Sequence, residues 1–351
     1  MPPIRLLSVF AFISFAALAE IGTECGPDRE CLINVPGTQC ADGTPSFITL
    51  TQRANAKKLL IYFQGGGACW SQSSCEQGLA SKLTRSEDAT DWATGSGIHD
   101  KSDPKNPFSA DYNVITVPYC TGDVYTGART INYGSTSNPY MIRHVGYENT
   151  LKNLQKIREL VPSPEKVVLL GCSAGGIGVY YHLRNLNETY PSIPKYVISD
   201  AGTPFAPPFV NQTNYQKIMA NWGAEATLPE NIRDFGSLIE QNTKNFPDIR
   251  FGFVSSYRDR TMSLFAFAIG TLTPGAAVKN TIVHLADTHL KGATNAHVFY
   301  TETNLHCQTP ENLASVESMG TNLGQWMGDM VNDSVAWASE RPDLDHAVLA
   351  Q

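Results

Sequence analysis

Ser173 stands where a hydroxyl could act as a nucleophile, inside Gly171-Cys172-Ser173-Ala174-Gly175-Gly176. Small residues on both sides let the backbone turn sharply, which lifts the hydroxyl clear and aims the following N–H at the same point. A serine hydroxyl is a poor nucleophile near neutral pH. It needs a histidine to take its proton, and a carboxylate to fix that histidine's tautomer and support its charge. Asp259 and His306 are the candidates, because each follows a strand-like run, Arg250 to Ser256 and His297 to Thr301. Asp200 also ends such a run, and Asp287 falls in a helix-compatible stretch. Of the other histidines, His297 begins a strand and His346 lies in the tail.

Cysteines flank two of these residues: Cys172 precedes Ser173 and Cys307 follows His306. If the serine and imidazole meet, their neighbours come within disulfide reach, and a bond would hold the two loops in register. The alternative is a buried free Cys172 and an unrelated Cys307. Gly65-Gly66-Gly67 follows the strong apolar run Lys57 to Phe63. Such a glycine-rich loop lets backbone approach a substrate closely and can supply an N–H to an oxyanion. A phosphate loop is excluded, since no Lys-Ser/Thr pair follows the glycines.

The elements that must position these residues alternate. Strand-like runs occur at Phe47 to Thr51 (an edge strand), Lys57 to Phe63, Tyr112 to Pro118, Val167 to Leu170, Lys195 to Ser199, Arg250 to Ser256 and His297 to Thr301. Helical spacing appears near Gly78 to Thr84, at Val145 to Leu160, from Ile177 to about Asn185, and over Asn312 to Ser339. Residues 20–46 read as an irregular entry segment. Strands alternating with helices predict an α/β fold with a mainly parallel central sheet and helices on both faces. The run Val167 to Leu170, the serine turn and the helix after it match the nucleophile elbow of α/β-hydrolases. Residues 203–248 break the alternation and read either as a lid-like insertion or as ordinary surface helices, within a single domain over 20–351.

At 351 residues with 42% apolar composition, the chain can bury one large core. A net charge of −7 without a basic run argues against nucleic-acid binding. Arg5, the apolar run Leu6 to Leu18 and Ala17-Leu18-Ala19 read as a secretory leader over residues 1–19, too short for a stable membrane span. The expected location is extracellular. All eight cysteines lie beyond that leader, an even number suited to disulfides in an oxidising compartment. Cys25 and Cys31 are close enough to close a small loop. No Cys-x-x-Cys or His-x-x-x-His spacing occurs, so neither a metal nor another cofactor is expected. Asn187, Asn211 and Asn332 begin glycosylation triplets.

Taken together, Tyr62 to Trp70 (YFQGGGACW), Pro118 to Asp123 (PYCTGD), Gly171 to Gly176 (GCSAGG), Asp200-Ala201-Gly202 and His306-Cys307-Gln308 resemble the pectin acetylesterase family, the Notum-like α/β-hydrolases. The resemblance runs from about residue 35 to 330. It implies a Ser173, His306 and Asp259 triad, oxyanion N–H groups from Gly66, Gly67 and Ala174, and disulfides Cys40–Cys120, Cys69–Cys75, Cys25–Cys31 and Cys172–Cys307. Gly67 stands where Notum carries a tryptophan. The implied activity is a secreted carboxylic ester hydrolase, removing acetyl groups from pectin or a related polysaccharide. The competing expectations are a deacylase of longer acyl esters on lipid or protein, and a non-catalytic glycan-binding protein on a hydrolase scaffold.

Overall fold

The computed structural model describes residues 30–80, 83–84 and 95–343. The leader-like run 1–19, Cys25 and His346 lie outside them. Described in chain order, the first half holds β1 (Glu30–Gln39), β2 (Pro45–Thr51), β3 (Lys58–Phe63), α1 (Gln72–Glu76), β4 (Tyr112–Val117), β5 (Arg129–Asn132), β6 (Met141–His144) and α2 (Gly146–Leu160). The middle holds β7 (Val167–Cys172), α3 (Ala174–Tyr181), α4 (Leu183–Thr189), β8 (Lys195–Asp200), α5 (Gln212–Trp222) and α6 (Phe235–Asn245). Then follow β9 (Arg250–Ser256), α7 (Arg260–Ala268), α8 (Pro274–His284), β10 (Ala296–Thr301), β11 (Glu317–Ser318), β12 (Thr321–Asn322) and α9 (Leu323–Val331).

Eight strands form one sheet in the order β1-β2-β4-β3-β7-β8-β9-β10. From β4 to β10 every pairing is parallel; β1 and β2 add an antiparallel flank. The chain has an α/β-hydrolase fold. Every residue of β4, β7 and β8 is buried, as parallel strands covered on both faces require. Side chains alternate between two cores. Leu59, Ile61 and Phe63 pack with Leu169 and Val179 on one face, while Leu60 and Tyr62 pack with Leu170, Trp326 and Met327 on the other.

Several elements differ from the sequence expectation. Residues 30–39 form the edge strand β1 rather than an irregular entry, so β2 is interior. An edge tolerates Pro36, and the pairing register slips between Asn34 and Gln39, where Gly37 takes a φ of 79°. The helix expected near Gly78 to Thr84 forms earlier, as α1. Ser71 and Ser74 cap it reciprocally, and Gly78 at φ 77° turns the chain out of helix; residues 81–82 lie outside the described residues. The expected closing helix shortens to α9, since Met319 at φ 50° and Gly320 at φ 88° form a β11–β12 hairpin and Asn322 caps the helix start. The helix after Ser173 divides into α3 and α4.

Candidate active site

The carboxyl ends of β3, β7, β8, β9 and β10 lie along one edge, where open parallel sheets place their ligands. Ser173 joins β7 to α3 at φ 57° and ψ −118°, a left-handed conformation that a non-glycine residue adopts at a cost. Its surroundings hold it there. Its N–H donates to the Asp200 carbonyl at 2.8 Å. A Cβ on Gly175 would collide with the Phe63 carbonyl, and one on Gly176 would sit 2.6 Å from the Asp200 carbonyl. Glycine is therefore required where α3 passes β3 and β8. Ala174 is the first residue of α3, so its N–H has no partner within the helix.

The glycine loop abuts this turn. A Cβ on Gly65 would lie 2.9 Å from the Cys172 carbonyl and 3.1 Å from Ser173 Cβ. Gly67, at φ 75°, passes so close to the Leu79 carbonyl that no side chain fits. The loop entrance is pinned by the Tyr125 hydroxyl, which donates to the Gln64 carbonyl at 2.8 Å. Tyr125 belongs to a turn seated on buried Asp123, whose carboxylate accepts Thr121 Oγ1 at 2.6 Å and the Gly146 N–H at 2.7 Å.

Asp259 and His306 meet. Asp259 caps α7: one carboxylate oxygen accepts the Met262 N–H at 2.8 Å, and the other contacts His306 Nδ1 at 2.8 Å. The cap fixes the carboxylate's direction, and the carboxylate favours a proton on Nδ1, leaving Nε2 as the basic nitrogen. No hydrogen bond joins the Ser173 hydroxyl to this pair among the described residues. What brings the two loops together is the Cys172–Cys307 disulfide, with Cα atoms 5.8 Å apart and a His306 ring nitrogen within 4.8 Å of the Cys172 sulfur. These three residues are the group with metal-ligand spacing among the described residues, and their sulfurs are bonded to each other rather than available as thiolates. Catalytic hydrogen bonds often tighten only with substrate bound.

The rival acids and bases have other hydrogen-bond or packing partners. Asp287 pairs with Arg341 at 2.7 Å, and His297 packs its ring on Trp337 at 4.5 Å. Asp200 is fully buried at the end of β8 and is pushed up to about 6 by that burial, against the pull of donors from Thr309 and Gln308. Two further disulfides are described, Cys40–Cys120 and Cys69–Cys75. The expected partner of Cys31, Cys25, lies outside the described residues. Asn211 and Asn332 are exposed at helix ends, and Asn187 is half-buried within α4.

Beside Ser173 and Ala174 lies an apolar cavity of about 70 Å³. The segment 203–248 supplies Phe205, Ile218, Met219 and Trp222; α7 and the turn after it supply Met262, Phe265 and Ile269; Trp70 closes one side. This segment is docked on the Cys69–Cys75 loop through α5: Trp222 Nε1 donates to the Cys69 carbonyl at 2.7 Å and Asn221 to the Trp70 carbonyl at 2.9 Å. The sequence reading missed α7 as a cavity wall. The apolar spacing of Met262, Phe265 and Ile269 directly after Asp259 was the available signal.

A parallel sheet whose central strand ends in a left-handed serine, beside a carboxylate–imidazole pair at the same edge, defines an α/β hydrolase. Within that class, the family described as pectinacetylesterase matches residues 31–329, and the chain belongs to it. Its curated relatives include the palmitoleoyl-protein carboxylesterase NOTUM of Mus musculus, 31% identical over 182 residues, and that of Homo sapiens, 30% identical over 183. Each match covers 49% of this chain, and 34% and 35% of the respective relative. The inactive palmitoleoyl-protein carboxylesterase notum1b of Danio rerio is 30% identical over 92 residues, 25% of this chain and 66% of that protein. The chain thus aligns with about a third of the length of the first two.

Proposed function

We propose that this protein is a secreted serine carboxylic ester hydrolase that removes short acyl groups, acetyl first among them, from pectin or a related polysaccharide. His306 Nε2 takes the proton of Ser173 Oγ as that oxygen attacks the ester carbonyl, and Asp259 supports the imidazolium. The N–H groups of Gly66, Gly67 and Ala174 hold the tetrahedral oxyanion. His306 then gives its proton to the departing sugar oxygen, which leaves as a hydroxyl, and water, activated by the same imidazole, hydrolyses the acyl-enzyme to release acetate. The observation that carries this reading is the 2.8 Å Asp259–His306 contact on a loop joined by a disulfide to the residue before Ser173. Acetyl is favoured by size: the cavity is about 70 Å³, under half of the roughly 150 Å³ that admits benzene. The three described disulfides and the leader-like run 1–19 support secretion.

The test is acetate release from a panel of acetylated polysaccharides, together with p-nitrophenyl acetate and octanoate. Acetate release and an acetyl preference are expected; a protein inert to these esters and to a fluorophosphonate probe refutes the reading in favour of a binding scaffold. A second reading, a deacylase of longer chains like the relatives' named activity, rests on the cavity's apolar lining and on half-buried Trp70 and Phe265, which border it. A clear octanoyl preference decides for it.

A further inference from the structure

We propose that Asp200 is a positioning residue for this chemistry, a buried carboxylate that clamps the His306 loop to the Ser173 turn. The proposal rests on the reading of Ser173 and His306 given above. Asp200 is the last residue of β8 and lies in register with Cys172 on the neighbouring β7. Its two halves face different loops. The main-chain carbonyl accepts the Ser173 N–H at 2.8 Å. The side chain accepts three donors through Oδ2: the Gln308 N–H at 2.8 Å, the Thr309 N–H at 2.7 Å and Thr309 Oγ1 at 2.7 Å. Those donors belong to the two residues that follow His306-Cys307. One residue therefore spans from the nucleophile's backbone to the base's loop, beside and independent of the disulfide.

A carboxylate that merely satisfied its own turn would bond locally; these side-chain partners lie 108 and 109 residues away. Among the described residues Oδ1 is buried without a hydrogen-bond partner, so the Oδ2 contacts are what keep the group in place. The charged and titratable groups that face Asp200 are His306 from the clamped loop and Tyr62 from β3. His306 also faces Asp259. An imidazolium formed on His306 during turnover thus has a second carboxylate in its surroundings, and the positioning effect carries an electrostatic component.

The test uses Asp200→Ala, Asp200→Asn and Thr309→Val in the full chain, with the Cys172–Cys307 bond verified by mass mapping. Asp200→Ala is expected to lower kcat by about 10²-fold on a small ester while KM changes little, the loss that a misplacement of about 1 Å produces. Asp200→Asn keeps an acceptor oxygen but loses the charge, so the acid limb of its kcat/KM profile moves to lower pH. Thr309→Val removes one of the three donors and is expected to lower kcat by a smaller factor. If Asp200→Ala does not fold, the other two variants carry the test. Variants that lose thermal stability but retain kcat and the wild-type acid limb overturn the proposal. Ser173→Ala separates the two claims: if it retains turnover, the site reading itself fails; if it is inactive while the Asp200 and Thr309 variants behave as wild type, only the clamp fails.

Discussion

At the scale of single residues, Ser173 and Asp259 each occupy a constrained position that they share with the backbone. Ser173 is the turn between β7 and α3, and Asp259 is the cap of α7. Ser173→Ala removes a hydroxyl without altering the turn's small-residue packing, so ester turnover and fluorophosphonate labelling are expected to vanish while the circular dichroism spectrum and Tm stay close to wild type. Asp259→Asn retains the oxygen that caps Met262 but can present an N–H to His306 Nδ1, favouring the wrong tautomer. A fall in kcat of about 10⁴-fold is expected, as tautomer reversal produces in serine proteases. Asp287→Asn, at a pair with Arg341 away from the imidazole, is expected to leave kcat unchanged; a large loss there would reassign the acid.

At the scale of elements, the site depends on how closely β3, β7 and their following turns approach. Gly65 is the contact point. A methyl group there would press on the Cys172 carbonyl and on Ser173 Cβ, and the backbone carbonyl cannot move without shifting Ser173. Gly65→Ala is therefore expected to cut kcat by about tenfold or more, a displacement penalty well within what small misplacements cause; equal kinetics for the variant would show that the turn yields freely. The disulfide acts across the same elements. Replacing both Cys172 and Cys307 with serine should reduce unfolding free energy by about 2–4 kcal/mol, readable in denaturant titration. It should also lower kcat under conditions where the protein remains folded, because the two loops lose their covalent register.

At the scale of the whole molecule, buried titratable groups set an acid limit on stability. Burial draws His99, His144 and His182 down to about 4 from an ordinary 6.5. Their contribution is present above pH 6.5 and is lost as pH falls through about 4. Burial pushes Asp123 and Asp200 the opposite way, from 3.8 to about 6, so their contribution is present below 3.8 and is lost as pH rises through about 6. Three histidines oppose two carboxylates over the same window. The net expectation is a Tm that falls as pH is lowered from 6.5 toward 4, measured by calorimetry. His182→Gln, which cannot acquire a charge, should flatten that slope whatever it does to the Tm at neutral pH; an unchanged slope would remove His182 from the account.

Local chemistry carried much of this protein in its amino-acid order. Val167 to Leu170 and Lys195 to Ser199 read as buried strands because apolar runs with β-branched residues suit a two-faced sheet, and both are strands. The turn at Gly171 to Gly176 read as an elbow because small residues flank a serine between an apolar run and a helix-compatible one, and Ser173 takes the left-handed backbone there. Less was legible where shape depends on distant partners. Residues 30–39, with Pro36 and Gly37 among them, become a strand only because β2 offers an edge. The double attachment of Asp200, the cavity face of α7 and the docking of Trp222 on the Cys69 carbonyl join residues far apart in the chain. Periodicity reports which side of an element is apolar, since that is a local property of spacing. Which element covers that side, and which buried carboxylate meets which loop, follows from the packing of the whole sheet and its helices, and tertiary structure alone decided it.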